Sequence, residues 1–112
     1  MVTIQNYVRA KSLEEAYELN QKKGNCILGG MLWTKMQNRM IQTAIDLCDL
    51  GLNEIEETEE EFSIGAMVSL RQLETDAGLN AYTQGAVRDA VKDIVGVQFR
   101  NLATVGGSIW GR

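Results

Sequence analysis

A diglycine near the C-terminus, in Thr104-Val105-Gly106-Gly107-Ser108, has residue types suited to binding an anion. The β-branched residues before it favour extended backbone, and the glycines lack the Cβ atoms that would keep a ligand away and permit a positive φ. The hydroxyl groups of Thr104 and Ser108 stand on either side. Such a turn directs several backbone N–H groups at one point, which predicts a concavity for a phosphate group.

A second diglycine, Gly29-Gly30, follows the short apolar run Cys26-Ile27-Leu28 and precedes Met31-Leu32. This pattern again predicts a buried strand, a glycine turn and then a short helix. Two such turns in 112 residues indicate two loops that close on one anionic ligand. We call residues 28–32 the first glycine loop and residues 104–108 the second. Ordinary tight turns would use the same residues, so the glycines alone leave both interpretations open.

The two loops and two further segments match the motifs of a known protein family in order and approximate spacing. Residues 100–109 resemble its signature R-N-x-A-T-I-G-G-N-[IL], and the first glycine loop resembles A-G-G-T-D-L. Ile64-Gly65-Ala66 with Leu73 resembles I-G-A-x-x-[TS]-L-x-x-L, and residues 12–16 resemble S-L-E-E-A. The chain is therefore similar to the FAD-binding flavoprotein domain or subunit of molybdenum hydroxylases, such as xanthine dehydrogenase and carbon monoxide dehydrogenase.

The resemblance implies that both glycine loops contact the pyrophosphate of FAD, mainly through backbone N–H groups. Each charge-assisted hydrogen bond of this kind is worth ~1.5–3 kcal/mol. It also places Ile94 near the flavin or adenine part of the cofactor. The residues that correspond to cofactor-binding positions of the family are Leu28, Gly29, Gly30, Met31, Leu32, Ile94, Thr104, Gly106, Gly107 and Ser108.

Three of these residues depart from the family pattern. Met31 and Leu32 stand where the family has Thr and Asp, so a hydroxyl contact is lost while the backbone donors remain. Ser108 replaces the common Asn and keeps a polar donor. Arg100 is suited to binding phosphate, but a guanidinium also clamps a carboxylate or loop carbonyls, and we favour that structural role.

The family further implies an oxidoreductase component, in which FAD takes electrons from a [2Fe–2S] centre and passes them to NAD or another acceptor. The molybdopterin and the iron–sulfur cluster would lie on partner subunits. We expect no catalytic side chain and no metal site in this chain, because the cofactor carries the chemistry. A non-catalytic module that binds a nucleotide or phosphate, or that serves assembly, is the alternative.

The family domain is considerably longer than this chain, which resembles only its N-terminal part. The sequence therefore predicts a piece of a larger flavoprotein, inactive alone, with an incomplete sheet. An open sheet edge tends to pair with another chain, so self-association is expected.

Composition argues against several other functions. There is no histidine, which removes the usual general base and the commonest metal ligand. Two cysteines are too few for an iron–sulfur cluster, which needs about four ligands. The net charge of −4, without a basic stripe, argues against nucleic-acid binding. No signal peptide or membrane-spanning apolar run is visible, which predicts a soluble, cytoplasmic protein without a membrane partner.

Hydrophobic periodicity predicts an α/β (α+β) chain of two subdomains, and the resemblance implies that they form the FAD-binding PCMH-like fold in incomplete form. Residues 1–51 form a small βαβ subdomain with the glycine turn at 29–30, and residues 52–112 begin a second, α+β subdomain with the glycine turn at 106–107. The expected elements of the first are strands near 2–9, 26–28 and 43–47 and a helix that Ser12 caps. Those of the second are an acidic hairpin with arms at 53–57 and 61–66, a helix that Ser69 caps, and an amphipathic helix over 86–95 that ends at Gly96.

Overall fold

The computed structural model describes residues 1–111 and divides into two compact units, Met1–Gly51 and a second that begins at Leu52. The strands are β1 (Thr3–Arg9), β2 (Cys26–Leu28), β3 (Met40–Asp46), β4 (Ile55–Glu57) and β5 (Phe62–Ile64). The helices are α1 (Leu13–Asn20), α2 (Leu70–Thr75), α3 (Ala77–Tyr82), α4 (Ala86–Val91), α5 (Val97–Leu102) and α6 (Val105–Trp110), with a 3₁₀ helix at Thr34–Met36. This mixed α/β architecture confirms the predicted fold class.

The first unit is a three-stranded parallel sheet in the order β1-β3-β2, joined by α1. The Ser12 hydroxyl accepts a hydrogen bond from the backbone N–H of Glu15 at 3.0 Å, so α1 starts where the sequence predicts. Ala16 on α1 packs against Ile45 of β3, and both side chains are buried. A crossover helix between parallel strands is the usual way to connect them, because they cannot be joined by a tight turn.

The C-terminal ends of the three parallel strands meet at one edge of this sheet. Asp46, at the end of central strand β3, is in register with Arg9 of β1 on one side and with Leu28 of β2 on the other. The first glycine loop therefore begins beside Asp46. In open α/β sheets, ligands bind outside this edge.

The second unit contains the β4–β5 hairpin and helices α2 to α6. Ser69 and Gln72 form both hydrogen bonds of the predicted capping box at the start of α2. Asn80 holds the following helices together, because its side-chain amide donates to the backbone oxygens of Leu73, Glu74 and Asp76. Its Oδ1 also accepts from the N–H of Arg88, at 2.9 Å.

The predicted amphipathic helix over 86–95 is wrong in its length and in its burial. Helix α4 ends at Val91, which is the buried residue of the helix. Val95 has a positive φ of 51° and its side chain is 74% exposed. Gly96 does not end α4 but precedes α5. The apolar spacing persists beyond the helix, but Ile94 and Val95 remain exposed.

No helix among residues 1–111 has the length and apolar character that crossing a membrane requires. In the same described part of the chain, His, Cys, Asp and Glu side chains form no group of three that would hold a metal ion.

Candidate cofactor-binding site

The first glycine loop leaves β2 through a left-handed turn. Leu28 is buried at the end of the strand, and Met31 has a positive φ of 61°, which is uncommon for a residue other than glycine. Two contacts fix this conformation. The Met31 carbonyl accepts a hydrogen bond from the Lys35 N–H at 3.1 Å, and the Met31 side chain packs against Leu28, Ile41 and Ala44.

The backbone N–H groups of residues 29–32 are not used by the rest of the described chain. No backbone or side-chain acceptor within residues 1–111 receives a hydrogen bond from any of the four. Successive N–H groups in a turn with a left-handed residue form a concavity that binds anions. The geometry of this loop therefore fits the predicted phosphate contact.

The second glycine loop has a different structure from the predicted one. Residues 105–110 are helix α6, and neither Gly106 nor Gly107 has a positive φ. Thr104 ends the extended stretch and caps the helix, since its Oγ1 accepts a hydrogen bond from the N–H of Gly107 at 3.1 Å. Thr104 itself is extended, as expected, but the prediction of a glycine turn after it is wrong, because the Thr104 cap starts a helix at Val105 that contains both glycines.

The backbone N–H groups of residues 105–108 in this second loop are already occupied. The Val105 N–H donates to the Val68 carbonyl at 2.9 Å, and the Gly106 N–H donates to the Ala66 carbonyl at 2.8 Å. The Ser108 N–H donates to the Thr104 carbonyl at 3.0 Å. The expectation that these N–H groups converge on a phosphate is therefore wrong for this conformation. The Ser108 side chain, in contrast, is exposed to solvent.

Gly106 is required by close packing rather than by its backbone angles. A Cβ atom at this position would lie 2.9 Å from the carbonyl oxygen of Ala66 and 3.1 Å from its Cβ. At Gly107 a Cβ atom would meet only Thr104 Oγ1, at 3.0 Å. Gly106 thus lets the second loop lie directly against the Ile64-Gly65-Ala66 segment, so two motifs recognised separately in the sequence form one packed unit.

Arg100 has the structural role that the sequence favours. Its side chain is buried, and Nε lies 2.8 Å from Oε1 of Glu74, which is also buried. The N–H is not aligned for a linear hydrogen bond, so this contact is an ion pair. Nη1 of Arg100 donates to the carbonyl of Ile94 at 3.0 Å, while the Ile94 side chain is 37% exposed. Glu74 forms a second ion pair with Arg71.

A polar cluster that sequence reasoning did not single out lies at the C-terminal edge of the parallel sheet. The Tyr7 hydroxyl donates to Asp46 Oδ2, and the Cys48 N–H donates to Asp46 Oδ1 at 2.9 Å. Arg9 pairs with Asp49 at 2.6 Å. The available signal was an aspartate at the end of a predicted strand, while its position beside β2 follows from the strand order of the structure.

The hydrogen bonds of this cluster shift its pKa values. Partial burial raises the pKa of Asp46, but the bonds from Tyr7 and from the Cys48 N–H outweigh it, and the net pKa lies below the ordinary value. The bond to Asp46 in turn raises the pKa of Tyr7 to about 12. Desolvation and the neighbouring Asp46 raise the pKa of Cys48. The carboxylate is thus ionised and the thiol protonated near neutral pH.

The predicted site residues are divided between the two units. The first unit contains Leu28, Gly29, Gly30, Met31 and Leu32, and the second contains Ile94, Thr104, Gly106, Gly107 and Ser108. Residues 2–112 match the family described as the FAD binding domain in molybdopterin dehydrogenase.

The chain belongs to this family.

Solved structures of carbon monoxide dehydrogenases resemble this FAD-binding domain. One from Hydrogenophaga pseudoflava, which lacks the Mo-pyranopterin moiety of its molybdenum cofactor, is 28% identical with a TM-score of 0.80, over 93% of this chain and 38% of its own. The reconstituted enzyme from Oligotropha carboxidovorans is 26% identical with a TM-score of 0.77, over 94% of this chain and 38% of its own.

The fold also occurs in a solved structure with lower sequence identity. Quinoline 2-oxidoreductase from Pseudomonas putida 86 shares the fold, with a TM-score of 0.79 at 23% identity, over 93% of this chain and 38% of its own. The chain thus spans about two fifths of the length of these relatives. A comparison with curated proteins returns no match.

Proposed function

We propose that this FAD-binding domain is part of a molybdenum hydroxylase-like oxidoreductase, and that its first glycine loop binds the pyrophosphate of FAD. The observation that carries the proposal is the set of four N–H groups at residues 29–32 that donate to nothing else in the described chain. Charge-assisted bonds from such donors are shorter and stronger than bonds between neutral groups.

The second glycine loop would contribute in a different way. The N–H groups of residues 105–108 are occupied, so the exposed Ser108 hydroxyl is an available polar group of this loop, and Gly107 offers bare backbone for close approach. Thr104 and Gly106 would hold that surface in place through the cap and the contact with Ala66. The half-exposed Ile94 side chain would pack against a ring of the cofactor.

The whole protein would be a cytoplasmic enzyme related to xanthine dehydrogenase and carbon monoxide dehydrogenase. Family membership supports partner subunits that carry molybdopterin and a [2Fe–2S] cluster. Bound FAD would supply one- and two-electron transfer towards NAD or another acceptor. The residues of this chain would bind and orient the cofactor, because no acid, base or nucleophile stands among the proposed binding residues.

Two variants of Met31 test the cofactor assignment. Met31→Pro removes one N–H of the loop and forbids the positive φ, whereas Met31→Gly keeps both and loses only the packed side chain. We expect titration of flavin fluorescence to show at least tenfold weaker FAD binding for Met31→Pro and less than threefold weaker binding for Met31→Gly. Equal affinities of the two variants would contradict the assignment.

The same titration with ADP distinguishes a flavin site from the alternative function, a module that binds a nucleotide or phosphate. A module that recognises only phosphate would bind ADP as tightly as FAD, since both present a pyrophosphate to the four N–H groups. A flavin site would bind FAD more tightly, because contacts to the isoalloxazine ring would add to those of the pyrophosphate.

Self-association through β1 is a further part of the proposal. β1 is an edge strand of seven residues, and all but Val8 are exposed. The N–H and C=O groups on its outer side offer a template for pairing with a second copy. Light scattering should therefore show dimers or larger species that Gln5→Lys reduces, and a strict monomer at all concentrations would contradict this part.

A further inference from the structure

Asp46 lies next to the first glycine loop, where it could contact a part of the ligand other than the pyrophosphate. Asp46 and Leu28 are in register on adjacent strands, whose axes are ~4.8 Å apart. Residues in register on parallel strands point to the same face of a sheet. The Asp46 carboxylate therefore lies on the face of Leu28, one residue before the free N–H groups begin.

Two hydrogen bonds fix this carboxylate without exhausting it. The Tyr7 hydroxyl holds Oδ2, and the Cys48 N–H holds Oδ1 at 2.9 Å. An ionised carboxylate has about four acceptor sites, so about two remain. Asp46 is only half-buried, which leaves those sites accessible.

The neighbouring Arg9 forms its ion pair with a residue other than Asp46. Arg9 is in register with it on β1, but the guanidinium of Arg9 forms its ion pair with Asp49, at 2.6 Å. Despite partial burial, the hydrogen bonds from Tyr7 and Cys48 keep the pKa of Asp46 below its ordinary value, so the carboxylate is ionised near neutral pH and acts only as an acceptor. It stands beside a turn that attracts anions. Such a charge repels a phosphate, whereas it favours a ligand that carries hydroxyl donors next to its phosphates.

We propose that Asp46 accepts a hydrogen bond from a sugar-type hydroxyl of the ligand, in the ribose or carbon chain that is attached to the pyrophosphate bound by residues 29–32. This inference rests on the proposed function of the first glycine loop. FAD has such hydroxyls on both sides of its pyrophosphate, in the ribose of its adenosine half and in the ribityl chain of its flavin half. Tyr7 is a positioning residue, because it orients the carboxylate and does not itself meet the ligand.

The test compares FAD with inorganic pyrophosphate, which has the phosphates but no hydroxyl carbon chain. Isothermal titration calorimetry without divalent cations measures both ligands on the full chain and on Asp46→Asn. We expect Asp46→Asn to weaken FAD binding about tenfold and to leave pyrophosphate binding equal or up to threefold tighter. A purely structural role would move both affinities in the same direction.

Tyr7→Phe keeps the carboxylate and serves as the second variant if Asp46→Asn does not fold. It should weaken FAD binding about threefold without changing the affinity for pyrophosphate. ADP and FMN then locate the hydroxyl, since a loss of affinity with ADP indicates the ribose and a loss with FMN indicates the ribityl chain.

Two results would overturn the inference while the proposed function stands. One is tighter binding of both FAD and pyrophosphate to Asp46→Asn, which would make Asp46 only a repulsive charge. The other is an equal loss for both ligands in the two variants. Failure of the unmodified chain to bind pyrophosphate at all would instead refute the proposed function and this inference with it.

Discussion

Replacement of Arg100 by methionine should destabilise the second unit severely. The substitution removes the buried partner of Glu74 Oε1 and the donor to the Ile94 carbonyl. Breaking a buried ion pair costs about 3–5 kcal/mol, because the remaining charge stays desolvated. Arg71 still pairs with Glu74, and its side chain is 39% exposed. We therefore expect the lower end, about 3 kcal/mol.

That loss is large compared with the stability of such a unit. A unit of about sixty residues has roughly 3–9 kcal/mol of folding free energy. Arg100→Met should therefore remove between a third and all of it. Urea unfolding followed by circular dichroism at 222 nm measures the change, since α2 to α6 all lie in this unit.

Two further variants control the experiment. Glu74→Leu combined with Arg100→Met removes both charges and should recover more than half of the loss, because an apolar pair of similar volume often replaces a buried ion pair without cost. Lys92→Met breaks an exposed pair with Asp89 and should cost less than about 1 kcal/mol. A loss below about 1 kcal/mol for Arg100→Met, or no recovery in the double variant, would refute the reasoning.

Two more predictions follow from single contacts. Gly106→Ala should lower the free energy of unfolding by about 1–3 kcal/mol, because its Cβ atom would overpack against Ala66. Gly107→Ala should change it by less than about 1 kcal/mol. Chemical denaturation measures both variants, and equal losses of stability would contradict the packing argument. Tyr7→Phe should lower the melting temperature more at pH 7 than at pH 3. The pKa of Asp46 is depressed in the folded state, so its contribution is full above the unfolded value of about 3.9 and is lost as pH falls through the lower folded pKa. A difference in melting temperature that does not change with pH would show that the bond to Asp46 is not its cause.

The elements that local side chains determine were predictable from the sequence. Ser12 and Ser69 begin α1 and α2 as their capping patterns predict, and Cys26–Leu28 is the expected short strand. The hairpin strands Ile55–Glu57 and Phe62–Ile64 lie within the predicted arms. These features depend on side chains that act on backbone groups a few residues away, so a single sequence contains the necessary information.

The errors arose where a competing contact decided the backbone. The second glycine loop was expected to be an extended stretch followed by a glycine turn, but with the Thr104 cap and the hydrogen bonds to Val68 and Ala66 the glycines lie in a helix. Residues 92–95 continue an apolar spacing but lie outside α4, and Val95 is left-handed. Neither feature follows from a periodic pattern in the sequence. The hydrogen-bond partners of residues 105 and 106 lie about forty residues earlier in the chain, and the end of the apolar helix depends on the backbone angle of Val95.

For the candidate site, the residue positions were easier to predict than their roles. The motif match identified both loops but treated their N–H groups alike, whereas those of residues 29–32 are without an acceptor in the described chain and those of residues 105–108 already have one. Asp46 was missed because its position beside the loop depends on strand order, with β3 between β1 and β2. A sequence read alone does not give that order.

The most direct test of the cofactor assignment is amide NMR of the chain during titration with pyrophosphate and then with FAD. We expect the amide resonances of residues 29–32 to shift downfield with both ligands, because each N–H begins to donate to a phosphate oxygen. The amides of residues 105–108 should move little with pyrophosphate, since their hydrogen bonds are already made. Shifts confined to residues 105–108, with residues 29–32 unchanged at saturation, would contradict the proposal that the first glycine loop binds the pyrophosphate.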